Sequence, residues 1–419
     1  MKPLLILTVG TGTAGRYSNL ASGLVTTVRL HDPERYWLVP SSSPDSIGIA
    51  DLVREEIGEE AIFVPWSDSD NRSIYCSIEE PDDVISCRTA LSAVIAAARK
   101  TLKPGQRLVV NPTSGTKQMT AGATLAALEL DQEAGGIAFT IGERHDGVVK
   151  TGTERVTKID TRRFMYERRL EHAESLFEAG ACQAAAKLLE PFSELSQQKL
   201  DVARCLHMWQ YQNYEPARQI AARSSAPHLI GLRNYFEQLC REKPAGELRV
   251  ADMFAGAERL RNWHLTDEAL VRYYHTVETA GRVRLWQEHS LQEPFELDAV
   301  LAIPGIQPTF ANRLRNIARD GRLFLTMALL FEVLHALQDP LAELFLGDKD
   351  FQELLRLRND YLHDGRPARP EKVDALRGKT FHFIEKALPG ITTRLPTGLW
   401  PTSLADAVTS SVIESASVF

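Results

Sequence analysis

The chain has 419 residues, enough for two or three domains, and its 44% hydrophobic and 25% charged residues are ordinary for a globular protein. No run of about 18 uncharged apolar residues is present to span a membrane. A net charge of -7 excludes a protein that coats long nucleic acid, because each neutralised phosphate needs a Lys or Arg; it leaves room for cutting RNA at a small, locally basic site.

Residues 3–9 are almost continuously apolar and read as a buried strand. The run is too short for a signal peptide and lacks a small-residue cleavage site. A Gly-rich loop follows, then a helix over Ser18–Arg29, a strand at Tyr36–Val39, a helix over Ile47–Ile57 and a strand at Ala61–Trp66. Pro81–Lys100 opens acidic and ends Arg99-Lys100, matching a helix dipole at both ends. Arg107–Val110 is a fourth strand, Thr116–Leu130 a helix, and Ile137–Ile141 and Val148–Val156 closing strands. Such alternation means an α/β domain with a mainly parallel sheet, whose ligands sit outside the carboxyl ends of the strands.

From about Arg162 helical spacing takes over. Leu170, Ala173, Leu176 and Phe177, then Ala184, Leu188 and Leu189, suggest a helix pair joined at Gly180, and Met208–Ala222 continues the helical pattern. Pro244-Ala245-Gly246 is a plausible linker. A second helical block runs from Val250 to about Leu388, and Pro389–Phe419 reads as either a tail or a packed arm. The cysteines Cys76, Cys87, Cys182, Cys205 and Cys240 are scattered and include no C-x-x-C, so neither a disulfide framework nor a cysteine zinc site is indicated, and a cytoplasmic location is the default. His335 and His382 are read as structural, and no H-E-x-x-H or other metal spacing appears.

Gly10-Thr11-Gly12-Thr13-Ala14-Gly15 is a literal G-x-G-x-x-G after a strand. A dinucleotide site also requires an acidic residue at the end of the second strand, for the ribose hydroxyls. That strand ends Val39-Pro40-Ser41-Ser42-Ser43, and Asp45 comes late. An NAD-dependent oxidoreductase is therefore the outsider, beside a tight turn with no ligand. Asn111-Pro112-Thr113-Ser114-Gly115-Thr116-Lys117-Gln118-Met119 sets polar residues between a buried strand and a helix. Main-chain N–H groups at that helix start, the hydroxyls of Thr113, Ser114 and Thr116, and Lys117 make an anion cradle. It is not a Walker A loop; the plain alternative is a helix N-cap.

This loop resembles the nucleotide-binding loop of CARF domains, the sensor half of type III CRISPR ancillary nucleases. The resemblance covers residues 1–160 and implies a homodimer with one symmetric pocket for a cyclic oligoadenylate, tetra- or hexa-adenylate. Its ligand candidates are Thr11, Thr13, Asn111, Ser114, Gly115, Thr116 and Lys117. Slow cleavage of that activator by the CARF domain is also compatible with the resemblance.

Late in the chain stands Arg358-Asn359-Asp360-Tyr361-Leu362-His363, an arginine, a polar residue and a histidine five positions on. It is similar to the catalytic motif of HEPN ribonucleases, which implies catalytic roles for Arg358, Asn359 and His363. Phe351, Leu354, Leu355 and Leu362 form a helical stripe that also carries Arg358, and the functional expectation is that this stripe faces a dimer seam. An arginine there needs a partner. The run Asp267–Trp286 resembles the first long HEPN helix, and its Glu278 is a candidate. His363 would sit about 140° round a perfect helix, but Asp364-Gly365 should end the helix and let it turn back.

The expected fold class is thus an α/β N-terminal Rossmann-like (CARF) domain with a mainly parallel sheet, followed by an all-α spacer and an all-α HEPN domain. The expected boundaries are 1–160 for the sensor, 161–245 for the spacer, 246–395 for the HEPN domain and 396–419 for a tail. The expected activity is metal-independent cleavage of single-stranded RNA by a homodimer, without a cofactor or a membrane, switched on by cyclic oligoadenylate and giving 2′,3′-cyclic phosphate ends. A CARF sensor with an inactive HEPN-like dimeriser is the alternative.

Overall fold

The computed structural model describes residues 1–11, 17–65, 75–128, 135–145, 148–149, 152–159, 161–241, 246–396 and 398–409. Contacts divide the chain into two compact units, Met1–Arg168 and Arg169–Phe419.

The first unit contains, in order, β1 (Leu4–Val9), α1 (Tyr17–His31), β2 (Arg35–Pro40), α2 (Pro44–Ile57), β3 (Ile62–Phe63), α3 (Val84–Arg99), β4 (Leu108–Asn111), α4 (Lys117–Leu128), β5 (Gly135–Ile141), the short hairpin β6 (Arg144–His145) and β7 (Val148–Val149), and β8 (Arg155–Ile159). Six strands form one sheet in the order β3-β2-β1-β4-β5-β8. All neighbours are parallel except β8, which runs antiparallel to β5. The alternation of β1 explains the two layers. Leu5, Leu7 and Val9 pack with Val25, Val28, Ile49 and Val53 of α1 and α2. Leu4 and Ile6 pack with Leu91, Val94, Met119 and Ala123 of α3 and α4. Each such buried aliphatic side chain contributes roughly 1.5–3 kcal/mol. α3 and α4 approach closely because Gly122 has no side chain: a Cβ there would lie 2.6 Å from the Cys87 Cβ.

The sheet is mainly parallel, as the alternating pattern implies, with two local departures. The expected strand Val148–Val156 is interrupted, and Gly152 in the left-handed region (φ 87°) supplies the turn before β8. The expected strand Ala61–Trp66 is short: Ile62 and Phe63 pair with β2, and the Val64 N–H donates to the Tyr36 carbonyl (2.9 Å); Trp66 lies outside the described residues.

The second unit is helical. α5 (Thr161–Glu178), within which the division falls, is followed by α6 (Cys182–Leu189), α7 (Ser193–Gln210), α8 (Tyr214–Arg223) and α9 (Pro227–Arg241). Gly180 (φ 78°) makes the turn between α5 and α6. The helical pattern expected over Met208–Ala222 is carried by the end of α7 and by α8, separated at Gln212, which adopts a left-handed conformation (φ 61°). Next come α10 (Glu247–Asn262), α11 (Thr266–His289), α12 (Leu297–Leu301), α13 (Pro308–Ile317), α14 (Met327–Ala336), α15 (Pro340–Gly347), α16 (Lys349–Asp364) and α17 (Pro370–Ala387). A small antiparallel ladder pairs β9 (Phe295–Glu296) with β10 (Arg322–Leu323), which are separated in the chain by α12 and α13. α11 is central and packs against α10, α14, α16 and α17.

Buried Asp252 of α10 accepts from Trp209 Nε1 (2.7 Å), Tyr214 OH (2.8 Å) and Tyr235 OH (2.9 Å), tying α7, α8 and α9 to α10. A buried carboxylate with three donors is held rather than orphaned. Residues 398–409 pack as an arm. Trp400 lies against Trp209 and Trp263, with the Arg259 guanidinium 4.7 Å from its ring, and α18 (Leu404–Thr409) packs on α7 and α9. Among the described residues no helix is long and apolar enough to cross a membrane.

Candidate functional site

In the first unit the strand order reverses between β1 and β4, and both loops singled out in the sequence follow these two strands. A ligand of a doubly wound sheet sits at such a switch point. The loops touch through their backbones: a Cβ added at Gly10 would lie 2.5 Å from the Gly115 Cα. Gly115 itself has φ 123°, a conformation that L side chains rarely adopt.

Most polar side chains of the second loop are used to build it. Asn111, 1% exposed, donates through Nδ2 to Thr140 Oγ1 (3.0 Å) and to His31 Nε2 (3.1 Å). Its Oδ1 accepts from the Thr113 N–H (3.2 Å) and from the Thr113 hydroxyl. The Thr113 hydroxyl also accepts from the Thr140 N–H (2.7 Å). Ser114 Oγ accepts from the Gly10 N–H (3.1 Å), and the Thr8 hydroxyl donates to the Ser114 carbonyl. Thr116 caps α4 by accepting from the Met119 N–H (3.1 Å), and donates to the Pro81 carbonyl. His31 accepts from Asn111 and so is neutral. Burial, with Lys158 nearby, pushes its pKa down to about 4.

What remains for a ligand is the main chain and one cation. The N–H groups of Gly115, Thr116, Lys117 and Gln118 have no partner among the described residues. The Lys117 side chain is exposed, with no carboxylate at ion-pair distance among the described residues. Main-chain N–H groups at a helix start, the positive end of the helix dipole and a lysine together favour an anion. Thr11 is half-buried; Gly12, Thr13 and Gly15 lie outside the described residues.

In the second unit the motif lies on α16. Asp348 caps it, accepting from the Phe351 N–H (2.9 Å), and pairs with Lys379 of α17 (2.6 Å). Gly365 (φ 65°) closes it with a bond from its N–H to the Tyr361 carbonyl (3.1 Å). Phe351, Leu354 and Leu355 face the unit's own core, where Phe351 meets Phe345 and Phe383. The stripe is therefore core rather than an outer seam, and Leu362 at 47% exposure does not continue it.

Arg358 is half-buried. Its guanidinium carbon stands 4.9 Å over the Tyr274 ring of α11, and Nη1 donates to Asn359 Oδ1 (3.0 Å). Arg358 Nε is buried with no hydrogen-bond partner. The expected ion pair with Glu278 is not made. Glu278 instead meets Arg282 one turn along its own helix (3.3 Å) and His275 Nδ1 (3.7 Å). Those partners are local in sequence and need no second element to arrive. Burial pushes the His275 pKa down; among its charged neighbours Glu278 opposes this, and Arg358, Arg272 and Arg282 reinforce it. His363 does not turn back. α16 runs on to Asp364, so His363 is in its last turn, exposed and about 140° round from Arg358. Arg358, Asn359 and Tyr274 thus come together, while His363 faces another way.

Tyr274 lies within the run Asp267–Trp286 that resembles the first long HEPN helix, and its place beside Arg358 is not legible from the sequence. The spacing of Tyr274 and Glu278 on one helical face was the available signal. His31 and Thr140, which fix Asn111, left no local signal, since each comes from a distant element.

No protein-family model matches the chain, and no curated relative matches it by sequence. Among solved structures it is similar to Enterococcus italicus Csm6 bound to cyclic hexa-2′-fluoro-hexa-dAMP, with a TM-score of 0.57 and 12% identity over 93% of this chain and 95% of that one. At that identity the likeness is one of fold, and it takes in nearly the whole of both chains.

Proposed function

We propose that the chain is a CARF–HEPN ribonuclease of the type III CRISPR kind. Residues 1–160 are the cyclic-oligoadenylate sensor, 161–245 a spacer, 246–395 the HEPN domain and 396–419 a C-terminal tail, of which residues 398–409 pack on the helical unit. The observation that carries the reading is the anion-ready loop at the β1/β4 switch point, in a chain with the fold of Csm6, whose solved structure holds a cyclic hexanucleotide. Cyclic tetra- or hexa-adenylate binds with its phosphates toward Lys117 and the N–H groups from Gly115 onward. Asn111, Ser114 and Thr116 hold that loop in shape, and Thr11 and Thr13 of the Gly-rich stretch are further ligand candidates.

The second unit then cuts single-stranded RNA. The RNA 2′-hydroxyl is the internal nucleophile, so the protein has to supply a base, an acid and a cation. His363 moves the protons, Arg358 steadies the charge that builds on phosphorus, and Asn359 orients Arg358. The products carry 2′,3′-cyclic phosphate and 5′-hydroxyl ends, and no metal is required. Because Arg358 and His363 leave one helix on different faces, each Arg358 works with His363 of a second copy in a C2 homodimer. That same separation is what would favour the second reading, a sensor with an inactive helical dimeriser.

A fluorescent single-stranded RNA, assayed with and without cyclic tetra- and hexa-adenylate and with EDTA, tests the proposal. Cleavage that needs one of the two activators and survives EDTA supports it. Activator binding without cleavage would establish the inactive-sensor reading, and cleavage abolished by EDTA and restored by Mg²⁺ would sink the metal-independent mechanism.

A further inference from the structure

We infer that Tyr274 is the positioning residue for Arg358: its ring face holds the guanidinium in place while leaving the charge and the outer N–H donors free for a phosphate. The inference rests on the ribonuclease reading and deepens it.

The usual way to fix a half-buried arginine is a carboxylate, because an unpaired buried cation is costly. Here a carboxylate stands close by. Glu278 lies one turn beyond Tyr274 on α11, yet it is engaged by Arg282 and His275. Arg358 has no ion-pair partner among the described residues; its hydrogen bond is to neutral Asn359. The Tyr274 ring beneath it, with Cζ 4.9 Å from the centroid, supplies the attraction. The two supports differ in what they leave behind. A carboxylate would occupy the planar fork that binds phosphate in bidentate fashion and would cancel its charge. A ring face holds the cation from one side and uses no N–H donor. The Tyr274 hydroxyl stays protonated, since burial, then Glu278, raise its pKa. The ring therefore acts as a neutral platform rather than as a second anion. Asn359 meets one edge of the guanidinium and sets its rotation about the ring normal.

The test uses the full-length protein, saturated with whichever of cyclic tetra- and hexa-adenylate activates the wild type. Tyr274→Leu lowers kcat for RNA roughly 10- to 30-fold, the scale of a desolvated cation–π contact, with a smaller change in KM. Tyr274→Phe, which keeps the ring and removes the hydroxyl, restores kcat to within about threefold. A Tyr274→Leu variant with the kcat of wild type overturns the platform and leaves the ribonuclease reading standing. A Phe variant as slow as the Leu variant assigns the role to the hydroxyl and also overturns it. Wild-type protein that never cleaves RNA removes the ribonuclease reading and this assignment with it. If Tyr274→Leu does not fold, phenylalanines carrying successive ring fluorines at position 274 keep the shape and drain the ring face. A stepwise fall in kcat along that series supports the platform, and a flat series overturns it.

Discussion

The two candidate sites are built in opposite ways. Around β4 and α4 nearly every polar side chain is spoken for: Asn111, Thr113, Ser114 and Thr116 bond to one another or to Thr8, Gly10, His31, Pro81, Met119 and Thr140. On α16 the motif side chains are loosely tied, with Arg358 on a ring face and His363 exposed without a partner among the described residues. A loop completed within one copy is already shaped for its ligand and loses little entropy on binding. On the proposed reading, a helix that points its cation and its histidine in different directions is half of a site, and the difference is that between a preformed sensor loop and a catalytic centre that needs assembly.

The largest effects should therefore come from the exposed half. His363→Ala is expected to abolish RNA cleavage while leaving folding and activator binding intact, because His363 alone in the motif can shuttle protons near neutral pH. Wild-type turnover in that variant would remove His363 from the mechanism. Arg358→Ala should cost at least roughly 100-fold in kcat, the scale of one charge-stabilising donor. A loss of only a few-fold would mean that the cation acts elsewhere.

The sensor half should respond differently. Lys117→Ala removes one charge-assisted contact, about 1.5–3 kcal/mol, or roughly 10- to 150-fold in affinity. The half-saturating activator concentration should rise by that factor while the plateau of RNA cleavage stays. An unchanged half-point would make the loop a helix cap only, and a lost plateau would make Lys117 a transmitter of the signal.

The smallest effect expected is on pH dependence. His31 is held neutral in the fold, with its pKa at about 4 against 6.5 for an ordinary histidine. Between these values the unfolded chain binds a proton that the folded chain does not, so this contribution to stability is present above about pH 6.5 and falls as pH drops toward 4. Protonation would also remove the acceptor that Asn111 uses. His31→Gln should flatten the change in Tm across that window, measured against wild type; an identical slope in both proteins would show that His31 does not carry it.

Sequence and structure agree most where a pattern is local. The almost continuous apolar run of residues 3–9 placed β1, and the polar run after Val110 placed the β4 loop. The two α16 expectations that failed depended on tertiary partners. A hydrophobic stripe cannot say whether it faces its own core or a second copy, and Phe351, Leu354 and Leu355 face the core. A Gly after a histidine marks a helix end but not on which side of it the histidine falls, and α16 includes His363. The partner of Arg358 was illegible for a related reason: Glu278 was already satisfied within α11, and an aromatic ring on that helix took the role.

The claim that the catalytic centre needs two copies is tested most directly with mixed dimers. Arg358→Ala and His363→Ala chains, each inactive alone, are co-expressed with different tags, and dimers carrying both tags are isolated. The expected result is RNA cleavage recovered to a substantial fraction of that of doubly tagged wild-type dimers, since one intact Arg358 then faces one intact His363 across the pair. Mixed dimers as inactive as either parent, beside active wild-type dimers prepared in the same way, would contradict it.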